Sequence, residues 1–121
     1  MSEAFWTHLE ALIQSSELVI DRPKGSPHPR NAAVIYPLDY GYLQGTSGGD
    51  GEGLDVWRGS LSDGRLDAVV CTVDLKNRDA EIKLLLGCTA GEKHAICAFH
   101  AGASAAALLV ERRSIASDRT L

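Results

Sequence analysis

Asp50, Glu52 and Asp55 stand at i, i+2 and i+5 in the run Asp50-Gly51-Glu52-Gly53-Leu54-Asp55-Val56. In an extended backbone Asp50 and Glu52 project to the same side, and a bend at Gly53 lets Asp55 turn back towards them. Carboxylates that converge on one point repel one another unless a cation sits between them. An all-oxygen donor set of this kind suits Mg²⁺, Mn²⁺ or Ca²⁺ rather than zinc. Asp74 and Asp79 form a second acidic pair that could supply the other side of the same site. The competing reading of these residues is a solvated acidic loop, where Asp and Gly ordinarily occur.

The elements that must position these groups are short. Ser2 caps a first helix with Glu3 in its first turn, and Phe5, Leu9, Leu12 and Ile13 recur at helical spacing until Ser15-Ser16, with Trp6 flanking the stripe. A strand over 18–20 leads into the loop 21–30, which holds three of the four prolines and so forms neither a helix nor an interior strand. Further strands are expected over 34–36, 41–43, 54–59, 66–73 and 81–86, with a turn at Asp63-Gly64 and a helix over 92–100. The segment 105–110 is ambiguous, since its alanines favour helix and its Leu-Leu-Val run favours strand. In 66–73 apolar residues occupy both faces, as in a central strand. The expectation is an α+β, mainly β fold. It is a small OB-like five-stranded barrel with flanking N- and C-terminal helices, in a single domain over 1–121.

Composition narrows the function classes. A hydrophobic fraction of 45% is that of a globular chain, and a net charge of −4 with no basic stretch argues against nucleic-acid binding. Cys71, Cys88 and Cys97 have neither disulfide-framework nor zinc-ligand spacing and read as reduced core residues. There is no signal-peptide pattern and no apolar run of membrane-spanning length. The expected setting is the cytoplasm, without a membrane partner.

Tyr36-Pro37-Leu38-Asp39-Tyr40-Gly41-Tyr42 lies just upstream of the acidic loop, and the whole reads YPLDYGYLQGTSGGDGEGLDV. This resembles the Mg²⁺-dependent, single-domain soluble inorganic pyrophosphatases. In that family a Tyr-Pro-x-x-Tyr-Gly-Tyr segment precedes an Asp-x-Asp-x-x-Asp signature by a loop of similar length, and the likeness covers roughly 20–88. The resemblance implies hydrolysis of inorganic pyrophosphate by metal-activated water, with two or more Mg²⁺ ions, Mn²⁺ as a substitute, and a homo-oligomeric assembly. It assigns Asp50, Asp55, Asp74 and Asp79 to the metals. Glu52 becomes the proton acceptor and Tyr40 a hydroxyl donor to substrate. Arg30 falls where a substrate-binding lysine is expected, Lys24 and Arg22 are reserve phosphate ligands, and Asp21 matches a glutamate that faces the metals through water.

The chain also departs from the family. Glu52 replaces the usual Asp, and Glu81 stands where a lysine normally follows the second aspartate pair. Lys83, on the same strand face, could partly replace that lysine. The hairpin that carries a phosphate-binding arginine is missing between Arg30 and Tyr36. Phe99-His100 takes the place of a Tyr-Lys pair, so His100 is either an anion contact or structural. Two alternatives follow: a Mg²⁺-dependent hydrolase of another phosphoanhydride or phosphoester, or a catalytically weak phosphate-binding module.

Overall fold

Helix α1 (Glu3–Gln14) carries Glu3 in its first turn and buries Trp6. Leu9 and Ile13 follow Trp6 at helical spacing and pack against the same core, whereas Phe5 and Leu12 face solvent. The period of the apolar stripe is as expected, but its phase is set by Trp6, whose ring has the most apolar surface to remove from water. The structure, a computed structural model, describes residues 3–48 and 51–113.

Strands β1 (Leu18–Arg22), β2 (Pro27–His28), β3 (Asn31–Ile35), β4 (Asp39–Leu43), β5 (Leu54–Arg58), β6 (Leu66–Asp74) and β7 (Asp79–Leu86) follow in order. Helix α2 (Ala90–His100) and strand β8 (Ala105–Glu111) complete the described chain. The ambiguous segment is therefore a strand, and it pairs antiparallel along β6 from Ala68↔Glu111 to Asp74↔Ala105. Six strands form one sheet in the order β1-β4-β5-β7-β6-β8, while β2 and β3 make a separate hairpin. All neighbours in the large sheet are antiparallel except β5 and β7, which run parallel. The Asp63-Gly64 turn forms, with Gly64 at φ +57°, but it does not make a hairpin because β7 lies between β5 and β6.

The fold is thus α+β and mainly β, with two helices among the described residues. Among the described residues no ladder joins the edges β1 and β8, so the closed five-stranded barrel expected from the sequence is not seen. The reason lies in side-chain alternation. Val56, Val69, Leu84 and Leu86 pack with Trp6 of α1, and Trp57, Ala68, Val70 and Leu85 pack with Ile96 of α2. Each face of the sheet is covered by one helix, so central strands bury apolar side chains on both sides without closing.

Two local devices position the site. Gly41 of β4 lets β1 approach closely, since a Cβ there would lie 1.8 Å from the Val19 carbonyl oxygen. Thr89 caps α2 by accepting from the Glu92 N–H, while the Glu92 carboxylate accepts from the Thr89 and Ser60 N–H groups. That bond ties α2 to the segment leaving β5.

Candidate functional site

Register sets the site on the α2 face of the sheet. Across β4, β5 and β7, Tyr42 stands opposite Asp55, and Asp55 opposite Lys83. In the adjacent row Tyr40 is opposite Trp57 and Trp57 opposite Leu85, which is core. The polar row therefore begins where the aromatic and aliphatic core ends. On β7, Asp79, Glu81 and Lys83 alternate onto the same face. Glu81 is paired with Thr72, and Asp79 with Asp74, on β6.

Lys83 is the centre of the arrangement and is only 5% exposed. Its Nζ donates to Asp55 Oδ2 at 2.7 Å, to Glu81 Oε1 at 2.6 Å and to the Tyr40 hydroxyl oxygen at 3.1 Å. Burial alone would push its pKa down, but Tyr40, Asp55 and Glu81 outweigh that effect and hold it above the ordinary lysine value. Burial, with Asp55 adding to it, pushes the Tyr40 hydroxyl up, so Tyr40 stays protonated and keeps a hydrogen to donate.

Two clefts meet at this cluster and share Glu81 and Lys83. The first, of about 500 Å³, is lined by Asp21, Arg22, Tyr40, Tyr42, Glu52 and Asp55 besides the shared pair. The second, of about 420 Å³, is lined by Arg30, Thr72, Asp74, Asn77, Asp79 and His100 in the same way. Of the residues predicted from sequence, Tyr40, Glu52, Asp55 and Asp21 open on the first cleft. Arg30, Asp74, Asp79 and His100 open on the second. Asp50 lies outside the described residues. Lys24 is exposed in the turn after β1, where its backbone N–H donates to Asp39 Oδ1, and it lines neither cleft.

Asp74 has a local duty. Its Oδ1 accepts from the Lys76 and Asn77 N–H groups and its Oδ2 from the Asn77 side chain, closing the β6–β7 turn. His100 also has one, because its Nε2 accepts from the Trp57 indole N–H at 3.0 Å. Burial, followed by the Lys83 charge, lowers its pKa to about 3, so it is a neutral imidazole with the proton on Nδ1. Arg22, a reserve ligand in the sequence reading, lines the first cleft and donates to the Tyr36 hydroxyl.

Between Arg30 and Tyr36 the chain is the single strand β3, and the small hairpin it belongs to is closed by β2 on the other side of Arg30. Strand β3 folds back on β2 with Arg30 in the turn, the Arg30 N–H donates to His28 Nδ1, and paired bonds between Ser26 and Tyr36 and between Gly25 and Tyr36 close its base. Tyr42 of β4 also walls the first cleft. Thr72 and Asn77 of the second cleft went unrecognised; the one available signal was a polar Thr interrupting an apolar strand.

In kind, the first cleft suits a hard divalent cation, since Asp21, Glu52, Asp55 and Glu81 outnumber Arg22 and Lys83. In placement, the three described aspartates of the predicted set divide, Asp55 to the first cleft and Asp74 and Asp79 to the second, and among the described residues no group of three acidic, His or Cys side chains is set to hold a metal. Cys88 is buried, with burial pushing its thiol up to about 12, and takes no part. No helix among the described residues is long and apolar enough to cross a membrane. Comparison with protein-family models, curated proteins and solved structures returns no match for the chain.

Proposed function

We propose that the chain is a Mg²⁺-dependent hydrolase of inorganic pyrophosphate that works in the first cleft. One observation supports the reading above all others. Asp21, Tyr40, Glu52, Asp55 and Lys83, spread over more than sixty residues of sequence, line one polar cleft together with Arg22. Asp55, with Asp21 and Glu81 around it, supplies the carboxylates for a cation, and Asp50 lies five residues before Asp55 in sequence. Mg²⁺ ordinarily takes only one or two carboxylates and fills its remaining positions with water and phosphate oxygens, so a sparse donor set is adequate.

Phosphoryl transfer to water rests on positioning and on neutralising charge. The chemistry supplied by the cation, when bound, is neutralisation of phosphate charge and acidification of water. The chain's own residues do the rest. The Glu52 carboxylate takes the proton of the attacking water. Tyr40 donates its retained hydroxyl hydrogen to a phosphate oxygen, and Lys83 and Arg22 hold phosphoryl oxygens as charge-assisted donors. Arg30, from the neighbouring cleft, reaches the distal end of the anion. Asp74 and Asp79 keep the metal role that the resemblance implies only if a second cation binds in the second cleft.

The six-stranded sheet is read here as an opened variant of the family's OB-like barrel. Assembly into a homo-oligomer and a cytoplasmic setting belong to the same proposal. The second cleft favours the wider alternative of a larger phosphoanhydride or phosphoester substrate, because it extends the polar surface beyond Lys83. The prior engagement of Asp55 and Glu81 by Lys83 favours the alternative of a phosphate-binding module. Phosphate release from pyrophosphate, tripolyphosphate and ATP, each with and without Mg²⁺, separates the three. Release from pyrophosphate alone supports the proposal, release from the larger anions supports the wider substrate, and none at all supports the module.

A further inference from the structure

Asp55 and Glu81 present their oxygens to a single point, which is the position of the Lys83 ammonium. The distances of 2.7 and 2.6 Å, with the Tyr40 oxygen at 3.1 Å, describe three oxygens converging on one cation. The two carboxylates come from different strands, and the parallel β5–β7 register brings Asp55 directly opposite Lys83. Lys83 reaches this seat on a flexible four-carbon stem; Glu81 and Lys83 line both clefts and Asp55 lines the first.

We propose that the Lys83 ammonium is a built-in competitor for divalent cations, filling the Asp55–Glu81 seat until a metal ion displaces it. This rests on the cation-dependent reading above and deepens it. A divalent ion satisfies two carboxylates better than one ammonium charge does, and Mg²⁺ needs only one or two carboxylates from the protein. The displaced ammonium has a polar cleft on either side in which to rehydrate, so its release leaves no charge buried without a partner. The arrangement would keep the carboxylates from repelling one another in metal-free protein, at the expense of metal affinity. It also orders events, because the lysine becomes available to an anion only after the metal has entered.

The test is Mn²⁺ binding, followed by electron paramagnetic resonance, to wild type and to Lys83→Met, which keeps the stem but removes the charge. Lys83→Met should bind Mn²⁺ at least ten-fold more tightly than wild type, and Asp55→Asn in the Lys83→Met background should remove that gain. In parallel, wild type is treated with acetic anhydride with and without Mg²⁺, and acetylation of Lys83 is read by mass spectrometry. Lys83 should become more reactive when Mg²⁺ is present. If Lys83→Met fails to fold, the labelling result alone decides. Unchanged Mn²⁺ affinity in folded Lys83→Met, or unchanged Lys83 labelling in wild type that does bind Mn²⁺, overturns the competition while leaving the cation-dependent reading intact. Absence of Mn²⁺ binding to both proteins overturns that reading as well.

Discussion

Lys83 and Asp55 face each other across the parallel β5–β7 pair, and their side chains meet at 2.7 Å. The pair links a strand from the acidic signature to a strand from the second acidic segment. It is therefore the point at which the two sequence motifs touch, beside the wall between the two clefts. Substitutions around it should separate chemistry, binding and architecture.

Glu52→Gln removes the proposed proton acceptor but keeps size and hydrogen-bonding capacity. Turnover of pyrophosphate should fall by roughly 10²- to 10⁴-fold, the usual worth of a general base, with Mn²⁺ affinity within a few-fold of wild type. Steady-state kinetics beside a metal titration checks this. Full turnover at neutral pH would remove Glu52 from that role.

Arg30 opens on the second cleft, in the turn of a small hairpin. Arg30→Ala should accordingly raise KM more than it lowers kcat, and should do so more for tripolyphosphate than for pyrophosphate. The same kinetics for both proteins on both substrates would make Arg30 a surface bystander.

His100 makes stability depend on pH with a definite sign. Its folded pKa of about 3 lies below its ordinary 6.5, so the unfolded chain takes up a proton that the folded chain refuses. Its contribution is complete above pH 6.5 and is lost as pH falls towards 3. The limiting slope is about 1.4 kcal/mol per pH unit. His100→Gln retains an acceptor for the Trp57 indole and does not titrate. Urea unfolding at about pH 6 and about pH 4 should show a flatter response in the variant, and parallel responses would contradict the assignment.

Gly41→Ala places a methyl group 1.8 Å from the Val19 carbonyl oxygen, a contact that only backbone movement can relieve. The cost should be about 3 kcal/mol or more, with the β1–β4 pairing lost first. Hydrogen exchange of the β1 amides, faster in the variant than in wild type, is the direct readout.

Much of this architecture was legible in the chain. The run 66–73, apolar on both faces apart from Asp67 and Thr72, marked a central strand, and 81–86 marked another; the observed strands extend these to Asp74 and back to Asp79. Thr89 and Glu92 cap the second helix at the end where polarity changes. Other features depend on long-range pairing and could not be read locally. The Asp63-Gly64 turn looks the same whether its strands pair or are split by β7. The strand state of Ala105–Glu111 depends on β6 offering an edge. The division of the acidic residues between two clefts is likewise a matter of register, since one spacing serves a shared site or two adjoining ones. Tyr40, Asp55 and Lys83 were recognisable as candidates by type, but the ion pair that joins them is a tertiary fact.

Phosphate release from pyrophosphate by wild type and Asp55→Asn, each with and without Mg²⁺, tests the central claim most directly. Wild type should release phosphate only when Mg²⁺ is present, and Asp55→Asn should be slower by at least about a hundredfold while keeping a native circular-dichroism spectrum. Mg²⁺-independent release, no release by wild type, or a folded Asp55→Asn as active as wild type would contradict the account.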